Sequence, residues 1–176
     1  MRIGLISDTH IPVAAPDLWP QAYDAMRGVD LILHAGDLVS TTVLDRLQEI
    51  APVLAVAGNG DYGGWERTVA PSDPRLSESK LIVVDGYRIG LVHDFQLPEV
   101  PPLRTVDGLM RHFFGGPVDV IVRGSTHRAE ITTVNGVLIV NPGSPTFPDH
   151  RSACLGTVGY LEIEGRRLRP SLLQLR

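Results

Sequence analysis

Five short apolar runs in this chain each stop at residues that carry a donor atom for a cation. Residues 2–7 (RIGLIS) run into Asp8-Thr9-His10, residues 30–35 (DLILHA) into Gly36-Asp37, and residues 52–57 (PVLAVA) into Gly58-Asn59-Gly60-Asp61. Residues 87–92 run into His93-Asp94, and residues 118–122 into Arg123-Gly124-Ser125-Thr126-His127. Runs of this length, unbroken by polar residues, suit strands buried on both faces. Helical patterns separate the first three. One spans residues 17–27; the other spans residues 40–50, with Ser40 a candidate N-cap and Val43, Leu44, Leu47 and Ile50 on one face. Strands that alternate with helices build a largely parallel sheet. Ligands of such sheets bind beyond the carboxyl ends of the strands, which is where these donors fall.

The second half is patterned differently. Asp85-Gly86, Asn135-Gly136 and Glu164-Gly165 lie between the strand-like pairs 80–84/87–92, 129–134/137–140 and 155–163/167–175, and each is a hairpin signal. Residues 103–114 suit a third helix. Hairpins demand antiparallel pairing, so the expected fold is α/β: two mixed sheets stacked face to face with helices outside, in a single domain over residues 1–176. A long, mobile loop is expected over residues 63–79.

Composition excludes several classes. The net charge is -4 with no basic run, so nothing marks a nucleic-acid binder. No apolar stretch is long enough to span a bilayer. No Gly-x-Gly-x-x-Gly follows the first strand, which argues against a dinucleotide site. Residues 1–7 read as a strand rather than a signal peptide, and the lone Cys154 has no internal disulfide partner, so a cytoplasmic protein is expected. Cys154 opens a strand-like run and is expected as a buried thiol. The exposed strand at residues 167–175 is a candidate for pairing in a homo-oligomer.

Asp, His and Asn without a thiolate set suit hard to borderline divalent ions: Mn²⁺, Fe²⁺, Zn²⁺ or Ni²⁺. A carboxylate between two ions bridges them, and two ions about 3.5–4 Å apart hold a hydroxide and clamp a phosphate ester for in-line attack. Asp8-x-His10, Gly36-Asp37, Gly58-Asn59-x-Asp61, His93, Gly124-x-x-His127 and Asn141-Pro142-Gly143-Ser144 together resemble the calcineurin-like metallophosphoesterases. Their length and order are most similar to the small YfcE-type phosphodiesterase branch, to which the metallophosphoesterase-fold subunit of retromer is related. The likeness covers about residues 1–144.

The resemblance implies a four-layer α/β/β/α sandwich and a dinuclear centre, with Mn²⁺ the first expectation. It assigns Asp8, His10, Asp37 and His127 to one ion, and Asp37 (bridging), Asn59, His93 and a histidine at position 125 to the other. It implies hydrolysis of phosphodiesters, or less readily phosphomonoesters, by a hydroxide on the metals. The partner would be a small phosphate ester, with nucleic acid only as a phosphodiester substrate. The alternative is a catalytically weakened binding or scaffold protein.

The chain departs from that pattern in three places. Ser125 replaces the histidine, so the second ion is expected to bind weakly. Asp94 stands where a glycine is usual and is a candidate replacement ligand. Gly60 stands where relatives with a general acid carry histidine, so protonation of the leaving group is expected from water, from Asp61 (a catalytic candidate beside Asn59) or from a substrate-side residue.

The other polar residues are weaker candidates. Arg123 and Arg128 flank the last motif and are candidate phosphate contacts. His34 is expected to orient a ligand, and the Asn141–Ser144 turn to support the His127 loop. His112 and His150 are marginal. Trp19 and Trp65 are more suited to loop packing than to a substrate pocket.

Overall fold

The computed structural model describes residues 1–61 and 73–176. Trp65 and residues 63–72 of the expected long loop lie outside them. The strands in chain order are β1 (Arg2–Ile6), β2 (Leu31–His34), β3 (Val53–Ala55), β4 (Ser79–Val84), β5 (Tyr87–Val92), β6 (Val120–Val122), β7 (Ala129–Val134), β8 (Val137–Pro142), β9 (Thr157–Glu164) and β10 (Arg167–Gln174). The helices are α1 (Pro20–Met26), α2 (Thr42–Gln48) and α3 (Val106–Phe114), and a short 3-10 turn covers Pro148–His150.

One sheet has the order β10-β9-β1-β2-β3 and the other β4-β5-β6-β8-β7. In the first, β1, β2 and β3 run parallel, and β9 joins β1 antiparallel. In the second, β5, β6 and β8 run parallel while β4 and β7 pair antiparallel at the edges. All three hairpins form as their turn residues direct, with Asp85, Gly86, Asn135, Gly136 and Gly165 at positive φ.

Three apolar clusters define four layers. Ile3, Leu5, Leu33, Ile89, Leu91, Val122, Val140 and Leu161 fill the space between the sheets. Ile6, Ile32 and Val158 face the other way, onto Met26 of α1 and Leu44 and Leu47 of α2. Val92, Ile121 and Ile139 pack against Val106, Met110 and Phe114 of α3. The alternation of Ile3 and Leu5 with Ile6 along β1 is the strand period of two, which lets one strand serve two cores. This is the expected sandwich of two mixed sheets flanked by helices. Among the described residues, no helix is long and apolar enough to cross a membrane.

The elements end where local chemistry ends them. The helix expected over residues 17–27 begins at Pro20, whose fixed φ and missing N–H suit the first helical position. The one expected over residues 103–114 begins at Val106, because Thr105 caps it by accepting the Gly108 N–H at 3.1 Å. Ser40 does not cap α2 as expected; Thr41 holds that position, and the Ser40 hydroxyl accepts the Thr42 N–H at 3.3 Å. Cys154 is half-buried in the loop before β9, not a core strand residue, and its carbonyl accepts the Trp19 indole N–H at 3.2 Å. Trp19 is thereby held against the α1/α2 core, in the packing role expected of it.

Candidate metal centre

The carboxyl ends of β1, β2, β3, β5 and β6 meet at one edge of the sandwich. The loops after β1 and β2 are laced together: the Asp8 N–H donates to the Gly36 carbonyl at 2.9 Å and the His10 N–H to the Asp37 carbonyl at 3.0 Å. Asp8, His10, Asp37 and His127 all have left-handed backbones, with φ of 53°, 45°, 56° and 58°. Such conformations cost about 1–3 kcal/mol each outside glycine and persist only where the surroundings force them. Here the strained residues are the donor residues themselves.

Each of these four offers one donor atom, and the four atoms lie within 4.8 Å of one another. His10 Nε2 stands 3.3 Å from Asp37 Oδ2, and His127 Nε2 stands 3.6 Å from Asp8 Oδ1. His93 approaches from the other side, with Nε2 at 3.5 Å from Asp37 Oδ1, 4.0 Å from Asp8 Oδ1 and 3.2 Å from Asn59 Oδ1. The two oxygens of Asp37 therefore face different histidines.

The histidine tautomers follow from their neighbours. His93 Nδ1 lies 2.7 Å from the Ala35 carbonyl and His127 Nδ1 lies 2.8 Å from the Phe147 carbonyl. A carbonyl only accepts, so each Nδ1 carries the proton and each Nε2 presents a lone pair to the carboxylates. His10 Nε2 is buried without a hydrogen-bond partner. A lone pair left this way costs about 1–3 kcal/mol, which a cation among the four donors removes. The donor set thus fits a divalent ion.

Burial dominates the electrostatics. It pushes the Asp8 carboxyl up to about 6, against the lowering effect of His93, and pushes the His127 imidazole down to about 4. Asp37 is held low: burial opposes ionisation, but the close approach of His10, the neighbouring His93 and the Gly60 N–H at 2.5 Å outweigh it. His34, fully buried, is driven down to about 3 and stays neutral. Its Nδ1 accepts the Gly36 N–H at 3.1 Å and its Nε2 reaches Thr9 Oγ1 at 3.2 Å, so it braces both donor loops rather than touching a donor side chain.

The glycines beside the donors work mainly by close approach. A β-carbon on Gly124 would meet Asp8 Oδ2 at 2.8 Å, and one on Gly58 would meet the Asp37 backbone nitrogen at 2.6 Å. Any side chain there would displace a donor.

Several candidates occupy other roles. Asp61 is not placed for acid chemistry: its carboxylate is buried and accepts the N–H groups of Asp37, Val39 and Gly58 at 2.9, 2.8 and 2.8 Å. It shapes the loop that carries Asp37. Asp94 is exposed and takes the Gln96 side-chain amide at 3.1 Å; it stands outside the four-residue donor group, on the wall of a neighbouring cavity. Ser125 contributes its backbone, whose N–H donates to both Asp8 oxygens at 3.1 Å. Arg123 is buried with its guanidinium on Glu130 at 2.7 Å, and the exposed Arg128 pairs with Asp149 at 2.8 Å, so both have acidic partners.

The sequence understated two features. The turn after β8 supports the site more widely than expected. Asn141 Nδ2 donates to the Gly124 carbonyl at 2.8 Å, the Ser144 hydroxyl to the Asp8 carbonyl at 2.7 Å, and the Thr146 hydroxyl to the Thr9 carbonyl at 2.6 Å. Buried Ser and Thr hydroxyls with no apolar rationale were the available signal. The second feature is a cavity of about 670 Å³ beside Asn59 and His93, walled by Glu78, Asp94, Leu109, His112 and Phe113.

A four-layer sandwich whose strand ends gather Asp and His around a cation-sized space defines a metallophosphoesterase-type protein. A family model for the calcineurin-like phosphoesterase superfamily domain matches residues 1–166, and the chain belongs to that superfamily. It is 37% identical over 174 residues to a probable metallophosphoesterase of Methanothermobacter thermautotrophicus, covering 99% of this chain and 92% of the relative. It is 26% identical to a phosphodiesterase of Methanocaldococcus jannaschii, covering 99% and 100%. Among solved structures, Vps29 of Chaetomium thermophilum superposes with a TM-score of 0.76 at 23% identity, covering 99% of this chain and 89% of that one, a likeness of fold.

Proposed function

We propose that the chain is a metal-dependent phosphodiesterase with two divalent ions, one held by Asp8, His10, Asp37 and His127 and the other by Asp37, Asn59 and His93. The observation that carries this is Asp37, whose Oδ2 faces His10 at 3.3 Å and whose Oδ1 faces His93 at 3.5 Å. A carboxylate with one oxygen turned to each histidine has the geometry of a bridge. Divalent ions supply charge to hold the phosphate and lower the pKa of water toward neutrality.

The chain's residues do the rest. Asp8 and Asp37 offset part of the added charge and leave a surplus that attracts a phosphate. The carbonyls of Ala35 and Phe147 hold His93 and His127 in the ligating tautomer. Asp61 and His34 keep the donor loops rigid. The cavity at Asn59 and His93 has room for an ester group, which favours a diester over a monoester. With Gly60 and Asp61 unable to donate a proton, solvent protonates the leaving oxygen, so esters of acidic alcohols react best. Mn²⁺ is the first choice of ion, and Fe²⁺, Zn²⁺ and Ni²⁺ suit the same nitrogen and oxygen donors.

A second reading is a binding or scaffold protein on this fold. Ser125 favours it, because its backbone serves Asp8 while the His93 side is left with fewer donors. Metal content followed by hydrolysis of bis-p-nitrophenyl phosphate with Mn²⁺ separates the two. Turnover abolished in Asp37→Ala and Asn59→Ala is the expected result. Absence of turnover with every divalent ion tried leaves the scaffold.

A further inference from the structure

The turn after β8 ends in a feature that the donor set leaves unused. Asp149 and His150 both have left-handed backbones, with φ of 48° and 58°. Two consecutive strained non-glycine residues need a cause. Burial in the core is not the cause, because both residues are exposed. The turn is nevertheless fastened at several points. The His150 N–H donates to the Phe147 carbonyl at 3.2 Å, and that carbonyl also takes the His127 Nδ1 proton at 2.8 Å. The Phe147 N–H donates to the Ser144 hydroxyl at 2.7 Å, which itself holds the Asp8 carbonyl. Arg128 ties down Asp149 at 2.8 Å and Arg151 adds a longer contact at 3.5 Å.

The outcome is a row of three imidazoles. The His10 and His127 rings are 5.0 Å apart, and the His127 and His150 rings are 4.0 Å apart. Phe147 meets all three edge-on. The first two point Nε2 at carboxylates of the centre; the third is exposed beside them, on the His127 side of the site, whereas the cavity lies by His93.

We infer that His150 is a substrate-contact residue, whose ring N–H donates to an oxygen of the phosphate bound at the centre. This rests on the metal-centre reading above and adds to it the group that recognises the phosphate from the protein side. An imidazole has an N–H in either protonation state, so the contact does not depend on charge. Arg128, expected as a phosphate contact, acts instead through Asp149 by holding this turn.

The test uses the Mn²⁺-loaded full chain with inorganic phosphate as probe, read by ³¹P relaxation, beside a separate Mn²⁺ titration. In His150→Ala, phosphate binds about tenfold more weakly, the loss of one hydrogen bond to a charged acceptor. Mn²⁺ affinity stays within about twofold, on the scale where tenfold is 1.4 kcal/mol. His150→Gln, which keeps an N–H donor, recovers most of the loss, and Arg128→Ala weakens phosphate binding by a smaller factor. For bis-p-nitrophenyl phosphate, His150→Ala raises KM more than it lowers kcat. Unchanged phosphate affinity in His150→Ala overturns the inference, and so does loss of Mn²⁺ together with phosphate, which makes His150 a mere prop for His127. A wild-type chain that takes up no divalent ion sinks the metal-centre reading itself, and this inference with it.

Discussion

The two sides of Asp37 are built to different standards. On the His10 and His127 side, four donors lie within 4.8 Å, three of them buried, and a turn of buried hydroxyls locks their loops. On the His93 side, His93 is buried but Asn59 is exposed, Ser125 offers only its backbone, and the space opens into a cavity. An enclosed set of donors already fixed by backbone N–H groups, as Asp8 is by Ser125 and Asp37 by Gly60, grips an ion through preorganisation, at little further cost in ordering. An open set with fewer donors binds less tightly but leaves coordination positions for a ligand. On the proposed two-ion reading, the difference predicts a division of labour, with one ion held tightly and the other exchangeable and closer to the substrate.

Substitutions test that division in order of expected effect. Asp37→Ala removes the residue common to both sides, so uptake of both ions falls by more than the roughly 10–100-fold typical of losing a ligand's hydrogen-bond partner, and turnover disappears. Metal analysis and hydrolysis of bis-p-nitrophenyl phosphate check this together. Next, His127→Ala abolishes the tighter step of a Mn²⁺ titration, while His93→Ala abolishes only the weaker one. Equal effects of the two would erase the proposed asymmetry.

Acidification sharpens the comparison further. The Asp8 carboxyl titrates near 6, whereas His127 titrates near 4 and is already neutral at pH 5. Between pH 6 and 5, an ion entering the tighter site must displace a proton from Asp8, so its affinity falls by about fivefold over that unit. Above about pH 6.5 the affinity levels off. The same shift acts on the metal-free fold. Since the Asp8 pKa is raised on folding, its ionisation works against the folded state. Stability contributed by its protonated form is lost as pH rises from the unfolded value of 3.8 through 6, and an added divalent ion restores it. Melting curves with and without Mn²⁺ across that window measure the linkage.

Smaller effects come from the edges of the comparison. Ser125→His adds an imidazole at the donor-poor side and tightens the weaker titration step by about tenfold, leaving the tighter step unchanged. An unchanged weaker step would remove Ser125 from that site. Arg123→Met breaks the pair with the exposed Glu130 and costs about 1 kcal/mol or less of stability by denaturant unfolding, with no change in either metal step. A change in metal affinity would return Arg123 to the site.

The donor residues were legible because they carry their chemistry wherever they stand: strand-length apolar runs ending in Asp, Asn or His, in one order, point to a metal edge. The fold class was legible for a similar reason, since βαβ alternation followed by three Gly-containing turns leaves few ways to bury the apolar faces. The roles of the polar neighbours were not. Asp61 and Asp94 are the same residue type in similar positions after a strand, yet one is saturated by three backbone N–H groups and the other lies exposed on a cavity wall. Arg123 and Arg128 likewise flank one motif and end with separate acidic partners.

What the sequence alone determined is therefore the inventory of donors and the layers that carry them, because side-chain chemistry and hydrophobic period are local properties. Only the tertiary structure decided that Asp37 turns one oxygen to each histidine, that the turn after β8 braces the Asp8 loop, and that His150 stands against His127. Those are distances between residues up to 137 positions apart, such as Thr9 and Thr146, and no local pattern encodes them. They are set by how two sheets and their loops pack together.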